Sequence, residues 1–272
     1  MRAALAFYLM IAGAALPAVP ALAQTDPPQA AEFDVDGKDV MWLPTPDALV
    51  DRMLNLARVG PRDVVYDLGS GDGRIPIAAA RRFGATGVGI EYDAGLVELS
   101  RKAADTAGVA SRVRFLQADL FEADFSEATV VTLYLLRTLN VKLRPKILAL
   151  RPGTRVVSNA FGMGDWAPDV SEPAGADALF LWHVPAQVAG RWTVTRAGGT
   201  FDLVLEQTFQ KLRGEARVDG HARALRSATL EGAAIRLGIE GLGSALTGRV
   251  EGDAMHGGEG DGAWRAQRQR GG

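Results

Sequence analysis

Cysteine is absent from the 272 residues, and histidine occurs only at His183, His221 and His256. Without cysteine, disulfides, thiol nucleophiles and the cysteine ligands of structural zinc sites are all excluded. Three scattered imidazoles are also too few for a histidine-based metal centre. The sequence therefore predicts no metal site.

A strong charge of either sign is missing too, because 30 Lys and Arg stand against 32 Asp and Glu, for a formal net charge of −2. No global basic field exists to attract nucleic acid or anionic lipid. We therefore expect no nucleic-acid partner. Hydrophobic residues make up 47% of the chain and charged residues 23%, which is typical of a globular protein.

The N-terminus has the layout of a secretory signal peptide over residues 1–23. An apolar run follows Arg2, and an A-x-A cleavage site ends at Ala23. The alternative is an uncleaved membrane anchor, which the two prolines of this stretch fit poorly. We expect an exported protein, periplasmic or extracellular, without stable membrane insertion after cleavage. Its mature chain would begin with a flexible arm over residues 24–40.

Strand and helix patterns alternate over residues 41–177. Short runs rich in β-branched residues predict strands, and amphipathic stretches between them predict helices. The first helix follows Thr45, whose hydroxyl is expected to cap it. The expected strands are 64–68, 87–90, 113–116, 130–136 and 155–158, with helices at 75–83, 94–107 and 139–150. Such alternation predicts an α/β, Rossmann-like domain, with a mostly parallel sheet and helices on both faces.

Residues 178–268 change to a period of two, with glycine-containing turns at short intervals. Phe201, Leu203 and Leu205, for example, share one parity. This pattern predicts a small antiparallel all-β domain of five to seven strands, curled into a partial barrel or sandwich. Its aromatic residues are expected to form a core, although they could instead line a ligand cup: Phe180, Trp182, Trp192, Phe201 and Trp264.

A glycine-rich turn follows the first strand of the α/β domain. Gly69, Ser70, Gly71 and Gly73 give the spacing G-x-G-x-G, which brings a ligand close to the backbone at the carboxyl edge of the sheet. The dinucleotide fingerprint G-x-G-x-x-G needs its third glycine one residue later, where this chain has Arg74. The turn therefore differs from a dinucleotide site.

Carboxylates surround this turn. Asp67 and Asp72 lie within it, where they would repel a pyrophosphate and attract a cation. S-adenosyl-L-methionine carries an ammonium and a sulfonium group and no phosphate, so it is the predicted cofactor. Glu91, at the end of the second strand, is placed to accept hydrogen bonds from the ribose hydroxyls. Asp119, after the third strand, is placed to reach the adenine amino group.

Several segments together resemble the class I methyltransferases: DLGSGDGRIPIAAA from Asp67, Gly89-Ile90-Glu91, Asp119-Leu120, and Leu43-Pro44-Thr45-Pro46. More narrowly, they resemble the protein-lysine methyltransferase family that includes mitochondrial enzymes acting on the ATP-synthase c subunit and archaeal relatives. The likeness covers roughly residues 40–170. It implies S-adenosyl-L-methionine as cofactor, Thr45 and Leu120 among its binding residues, and methylation of a lysine side chain of a protein.

Candidate acceptor residues follow from the reaction, an in-line displacement for which the protein chiefly aligns nucleophile and methyl group. The fourth strand should end over the methyl group, which makes Thr132 and Tyr134 candidates to orient the acceptor nitrogen by a carbonyl or a hydroxyl oxygen. Asn159, Asp165 and Trp166 follow the fifth strand, where loops reach the same mouth. Trp166 either walls a lysine channel or packs under the loop.

Two other functions stay open from the sequence. The apparent export signal and the β domain depart from the family, so the acceptor is also compatible with a small molecule or a lipid. The third possibility is an exported binding module that no longer catalyses. Acids at all three strand ends favour an active enzyme over that module. The oligomeric state is not predicted.

Overall fold

The computed structural model describes residues 43–269, which belong to one compact unit. The predicted signal peptide and arm, residues 1–40, lie outside the described residues. The described chain contains a seven-stranded sheet with helices, followed by a closed barrel. Within residues 43–269, no helix is both long and apolar enough to cross a membrane.

Seven strands form the first sheet, in the order β3-β2-β1-β4-β5-β7-β6. Six of them run parallel, and β7 is antiparallel to both of its neighbours. The central strands are buried on both faces, as their continuous apolar runs require. The strands are β1 (Val64–Leu68), β2 (Thr86–Glu91), β3 (Val113–Gln117), β4 (Val130–Leu133), β5 (Arg155–Asn159), β6 (Val170–Ala174) and β7 (Asp177–His183).

Helices cover both faces of this sheet, as the alternating pattern predicts. They are α1 (Asp47–Leu56), α2 (Arg74–Phe83), α3 (Ala94–Thr106) and α4 (Arg137–Leu148). Helices α1 and α2 pack on the face that carries Val65, Val130 and Val157. Helix α4 packs on the opposite face. The predicted cap of α1 is wrong: Pro46 occupies the cap position, and no side chain caps the helix.

Eight further strands form a closed antiparallel barrel in which each strand pairs with the next and β15 pairs with β8. Its interior is filled by side chains, among them Trp192, Phe201 and Trp264, so the expected aromatic core is confirmed for these three. The expectation is wrong for Phe180 and Trp182, which belong to β7 and the core of the first sheet. The strands are β8 (Gly190–Arg196), β9 (Gly199–Thr208), β10 (Lys211–Val218), β11 (His221–Glu231), β12 (Ala234–Ile239), β13 (Leu246–Glu251), β14 (Ala254–Gly257) and β15 (Trp264–Arg268).

The structure corrects one expected strand count and two expected boundaries. The barrel closes with eight strands, whereas the turn signals indicated five to seven. Residues 177–183 alternate like barrel strands but pair with β5, so the first sheet extends to His183 and does not end at residue 177. Alternation alone does not distinguish an antiparallel strand of a mixed sheet from a barrel strand. Strand β4 ends at Leu133, not at residue 136, and leaves Tyr134 in the following loop.

Candidate active site

The glycine-rich turn packs directly against the neighbouring strand β2. The amides of Gly69 and Ser70 both donate to the carbonyl oxygen of Ile90, at 2.9 and 3.0 Å. Gly69, Gly71 and Gly73 all have positive φ, at 77°, 54° and 76°, a conformation that side chains disfavour. A Cβ on Gly73 would lie 2.6 Å from the ring of Phe115. The three glycines are thus required by the path of the backbone.

Asp67 lies beneath this turn and is only 4% exposed. Its carboxylate accepts a hydrogen bond of 2.7 Å from the hydroxyl of Thr132 on the adjacent strand. Burial raises the pKa of Asp67 to about 7; the charges of Glu91 and Asp72 act in the same direction, and the hydrogen bond from Thr132 opposes them. A positive group placed beside Asp67 would favour its ionised form.

The acids of the next two strands are held by backbone amides. One carboxylate oxygen of Glu91 accepts from the amide of Gly71 at 2.9 Å, and the other accepts from Tyr92 and Asp93 at 2.8 and 3.0 Å. Asp119 accepts from the amide of Phe121 at 2.8 Å. Three acids therefore stand at the carboxyl ends of β1, β2 and β3, as the sequence predicts.

The fourth acid near the turn, Asp72, is neutralised. The guanidinium of Arg74 binds it through two nitrogens, with Nε at 2.9 Å from Oδ1 and Nη2 at 2.6 Å from Oδ2. The same guanidinium donates to the carbonyl oxygen of Thr45 at 2.8 Å. The positive charge of Arg74 thus offsets the negative charge that Asp72 was expected to contribute at the turn. Thr45 is buried and reaches the turn through its backbone.

These residues fit the predicted cofactor. Within residues 43–269, the hydroxyl of Ser70 is buried and has no hydrogen-bond partner, which is unusual unless a ligand completes it. A Cβ on Gly89 would lie 2.5 Å from that hydroxyl, so glycine is needed there too. Leu120 is half-buried beside Asp119. A buried hydroxyl, a backbone cradle and the three remaining acids, Asp67, Glu91 and Asp119, suit a positively charged nucleoside.

The predicted acceptor residues divide into two groups. Tyr134 follows β4 directly and is half-buried, and its ring stacks on Phe161 with centroids 6.5 Å apart. Among the described residues, its hydroxyl makes no hydrogen bond, so it remains a candidate. Thr132 is fully buried, and its hydroxyl is committed to Asp67. The hydroxyl of Thr132 therefore positions the carboxylate, and a role of its carbonyl in orienting the acceptor stays a prediction.

Asp165 lies on the surface and Trp166 in the core, and an acceptor role for Asp165 stays a prediction. Asp165 is exposed and paired with Arg144, whose guanidinium holds the pKa of that carboxyl below its usual range. Trp166 is 1% exposed and packs between the rings of Trp182 and Phe209, with centroids 6.0 and 5.8 Å away. Its indole nitrogen donates to Gln210 of the barrel at 3.1 Å. Trp166 therefore joins the sheet to the barrel and walls no channel.

One polar residue near the carboxyl end of β5, Asn140 of α4, is not among the residues that the sequence predicts for the site. Its amide nitrogen donates to Ser158 Oγ at 3.3 Å and to the carbonyl oxygen of Phe161 at 3.1 Å. The available signal was an asparagine on the apolar face of a helix, between Leu139 and Leu143. Asn140 and Asn159 are both buried.

Comparison with known proteins gives consistent matches over the α/β domain. Residues 67–170 match the ANTKMT methyltransferase domain. A protein-lysine N-methyltransferase of Saccharolobus islandicus is 44% identical over 131 residues, which are 47% of this chain and 81% of that protein. The mouse ATP-synthase c-subunit lysine N-methyltransferase is 33% identical over 147 residues, which are 54% of this chain and 59% of that protein.

A solved structure matches the same region. It is described as an RNA methyltransferase from Salinibacter ruber in complex with S-adenosyl-L-homocysteine. The identity is 58%, the TM-score is 0.53, and the match covers 54% of this chain and 96% of that one. The demethylated cofactor in that structure agrees with the fit of the glycine turn and its acids to S-adenosyl-L-methionine.

Proposed function

The chain belongs to the family of S-adenosyl-L-methionine-dependent methyltransferases with the ANTKMT methyltransferase domain, and on that premise we propose that it methylates a lysine side-chain nitrogen of a protein. The observation that carries this proposal is the 44% identity to the archaeal lysine N-methyltransferase. It coincides with an intact set of acids around the glycine turn. Those acids argue against a binding module that has lost activity.

In this proposal three acids at the carboxyl edge of the sheet bind different parts of the cofactor. Glu91 accepts hydrogen bonds from the ribose hydroxyls, Asp119 accepts one from the adenine amino group, and Asp67 compensates positive charge. Glu91 and Asp119 have this capacity because a carboxylate accepts more hydrogen bonds than the backbone amides supply here. When bound, the cofactor supplies a methyl group activated by the sulfonium. The protein has to align an uncharged acceptor nitrogen with it and exclude water.

Labelling with a radioactive methyl donor tests the acceptor class. The purified protein is incubated with S-adenosyl-L-methionine that carries tritium in its methyl group and with a cell extract, and the product is divided between protease and ribonuclease digestion. We expect label that protease releases and that acid hydrolysis yields as methyllysine. Label in methylated nucleotides, or in a small molecule or lipid alone, would contradict the lysine assignment.

RNA is the second candidate acceptor, because the Salinibacter ruber protein that is 58% identical is described as an RNA methyltransferase. The formal net charge of −2 does not favour a polyanion. The ribonuclease arm of the labelling experiment decides between the two acceptors.

We also propose that the protein acts after export, or remains anchored by an uncleaved N-terminus. The support is the signal-peptide layout of residues 1–23, with its cleavage site at Ala23. Cell fractionation followed by N-terminal sequencing tests this, and a mature chain that begins at Gln24 is expected. A cytosolic protein that retains Met1 would contradict both versions.

A further inference from the structure

A tight turn of the barrel, between β9 and β10, contacts the loop that joins β5 to β6, residues 160–169. Gln210 of this turn bonds the loop at three places. Its side-chain oxygen accepts from the indole nitrogen of Trp166 at 3.1 Å. Its side-chain nitrogen donates to the carbonyl oxygen of Ala167 at 2.8 Å and to Asp169 Oδ1 at 2.9 Å. Both ends of this one amide are therefore used to hold the loop.

Phe209, the neighbour of Gln210, packs against the same loop. Its ring stacks on that of Trp166, with centroids 5.8 Å apart, and the guanidinium of Arg144 lies 5.3 Å from its centroid. Phe209 has the left-handed φ of 54°, which a bulky residue keeps only where its surroundings hold it. Gln207 supplies one such contact, because its side-chain nitrogen donates to the Phe209 carbonyl oxygen at 2.7 Å. The turn is thus held by contacts from the barrel and from the α/β domain.

Helix α4 holds the first half of the β5–β6 loop. Asn140 donates to the carbonyl oxygen of Phe161 at 3.1 Å, and Arg144 donates to that of Met163 at 2.8 Å. Met163 forms an isolated antiparallel bridge with Trp166, which belongs to the half that the barrel holds. The two halves of the loop are therefore linked, and a change at the barrel can be transmitted to Phe161.

The first half of the loop lies beside the strand end at which the acceptor is expected. Strands β4 and β5 are parallel neighbours, and ligands bind outside the carboxyl ends of such strands. Tyr134 follows β4 directly, and its half-buried ring stacks on that of Phe161 with centroids 6.5 Å apart. The position of the loop thus determines how these two rings are arranged.

We propose that the barrel supports the reaction by fixing the β5–β6 loop, with Gln210 as a positioning residue for the acceptor. This inference rests on the proposed function, which places the acceptor at the ends of β4 and β5. Gln210 bonds the end of the loop opposite to Phe161, so it acts through the loop and does not touch the acceptor. A wall that is already ordered does not have to be ordered on binding, which improves affinity.

The composition of the loop explains why it needs this support. Gly162 and Gly164 lie in its first half, and glycine gives a free chain more conformational freedom than any other residue. The order of the loop therefore has to come from its contacts. Strand β7 supplies one more, because the indole nitrogen of Trp182 donates to the carbonyl oxygen of Trp166 at 2.9 Å. Loss of Gln210 should thus loosen the loop and leave the protein folded.

Hydrogen exchange tests the structural half of the inference in the full-length protein, without an acceptor. Gln210→Ala removes all three bonds to the loop, and Gln210→Glu keeps an oxygen but loses the donating nitrogen. Gln267→Ala on β15 is the matched control, because this exposed glutamine donates to a carbonyl oxygen within the barrel. We expect the amides of residues 160–169 to exchange about tenfold faster or more in both Gln210 variants. Residues 67–73, and the whole control, should exchange as in wild type.

Kinetics test the functional half with the same proteins, at a temperature where all are folded. The rate of methyllysine formation is measured against the concentration of extract protein at saturating S-adenosyl-L-methionine, and calorimetry gives the affinity for S-adenosyl-L-homocysteine. In both Gln210 variants we expect a half-saturating extract concentration about fivefold higher or more, with the affinity within about twofold of wild type. The plateau rate should change less, because Gln210 does not touch the reacting atoms. A purely structural role would lower the unfolding temperature and leave the half-saturating concentration unchanged.

Four results would overturn the inference. Unchanged exchange of residues 160–169 in both variants would show that Gln210 does not hold the loop. Faster exchange with an unchanged half-saturating concentration would place the loop outside the acceptor site. A parallel loss of S-adenosyl-L-homocysteine affinity would assign the loop to the cofactor. A wild-type protein that labels RNA and no protein would refute the proposed function itself, and the exchange experiment, which needs no acceptor, separates that failure from the first.

Discussion

The two halves of the carboxyl edge of the sheet differ in how their polar groups are held. At the cofactor half, formed by β1, β2 and β3, the groups are acids fixed mainly by nearby backbone amides, as Asp119 is by Phe121. At the other half, formed by β4 and β5 and called the acceptor half after its proposed ligand, they are uncharged amides and hydroxyls. Asn140, for example, is held by Ser158 and by the carbonyl oxygen of Phe161, which are 18 and 21 residues away.

This difference suits the two ligands. The sulfonium of the cofactor is permanently positive, so each ionised acid beside it gains in Coulomb energy. The acceptor nitrogen has to lose its charge before it reacts, so acids beside it would oppose the reaction. Thr132 stands at the border: it belongs to the acceptor half but donates to Asp67 of the cofactor half. The acids of the cofactor half and the uncharged groups of the acceptor half thus meet at two adjacent strands, β1 and β4.

The largest expected effect is a loss of stability where the sheet packs against the barrel. Trp166→Ala removes a fully buried ring packed against Trp182 and Phe209, together with the hydrogen bond to Gln210. We expect the free energy of unfolding to fall by about 3–5 kcal/mol, measured by urea denaturation. Trp166→Phe should retain most of the stability and the activity. A Trp166→Ala protein of wild-type stability that binds its acceptor poorly would restore Trp166 as a channel wall.

The next effect concerns the cofactor half alone. Glu91→Ala removes the carboxylate at the end of β2 that is assigned to the ribose. Hydrogen bonds to a charged group contribute about 1.5–3 kcal/mol each, so loss of the carboxylate should weaken S-adenosyl-L-homocysteine binding by about a hundredfold. Calorimetry measures this, with the exposed Glu98→Ala on α3 as control. Undiminished affinity in a folded Glu91→Ala protein would remove Glu91 from the site.

The same contrast explains which parts could be predicted from the sequence. The glycine turn and the acids follow from local spacing, because Gly69, Gly71 and Gly73 are required by a turn of a few residues. The contacts of Thr132 and Trp166 are made with partners 65 and 44 residues away. Local sequence patterns do not show such contacts. Closure of the barrel is also non-local, since β8 pairs with β15. The neighbours of Asn140 in α4 form an ordinary apolar helix face, so the local sequence does not predict a polar group at the site.

The smallest expected effect is the pH dependence of cofactor binding, which depends on the position of Asp67 between the two halves. Burial raises the pKa of Asp67 to about 7, so the folded protein retains a proton that the unfolded chain releases near pH 4. This carboxyl therefore lowers stability as pH rises between those values. A cationic cofactor favours the ionised form, so its affinity should rise with pH, by about tenfold from pH 6 to pH 8.

Asp67→Asn sharpens this prediction, because the amide keeps the shape of the side chain and can still accept the hydrogen bond from Thr132. In the variant, the slope of affinity against pH for S-adenosyl-L-methionine should disappear. Calorimetry of the wild type at pH 6.5, in two buffers of different ionisation enthalpy, should detect a released proton. If the variant kept the wild-type slope, the titrating group would lie elsewhere, and the buried carboxylate would not sense the charge of the cofactor.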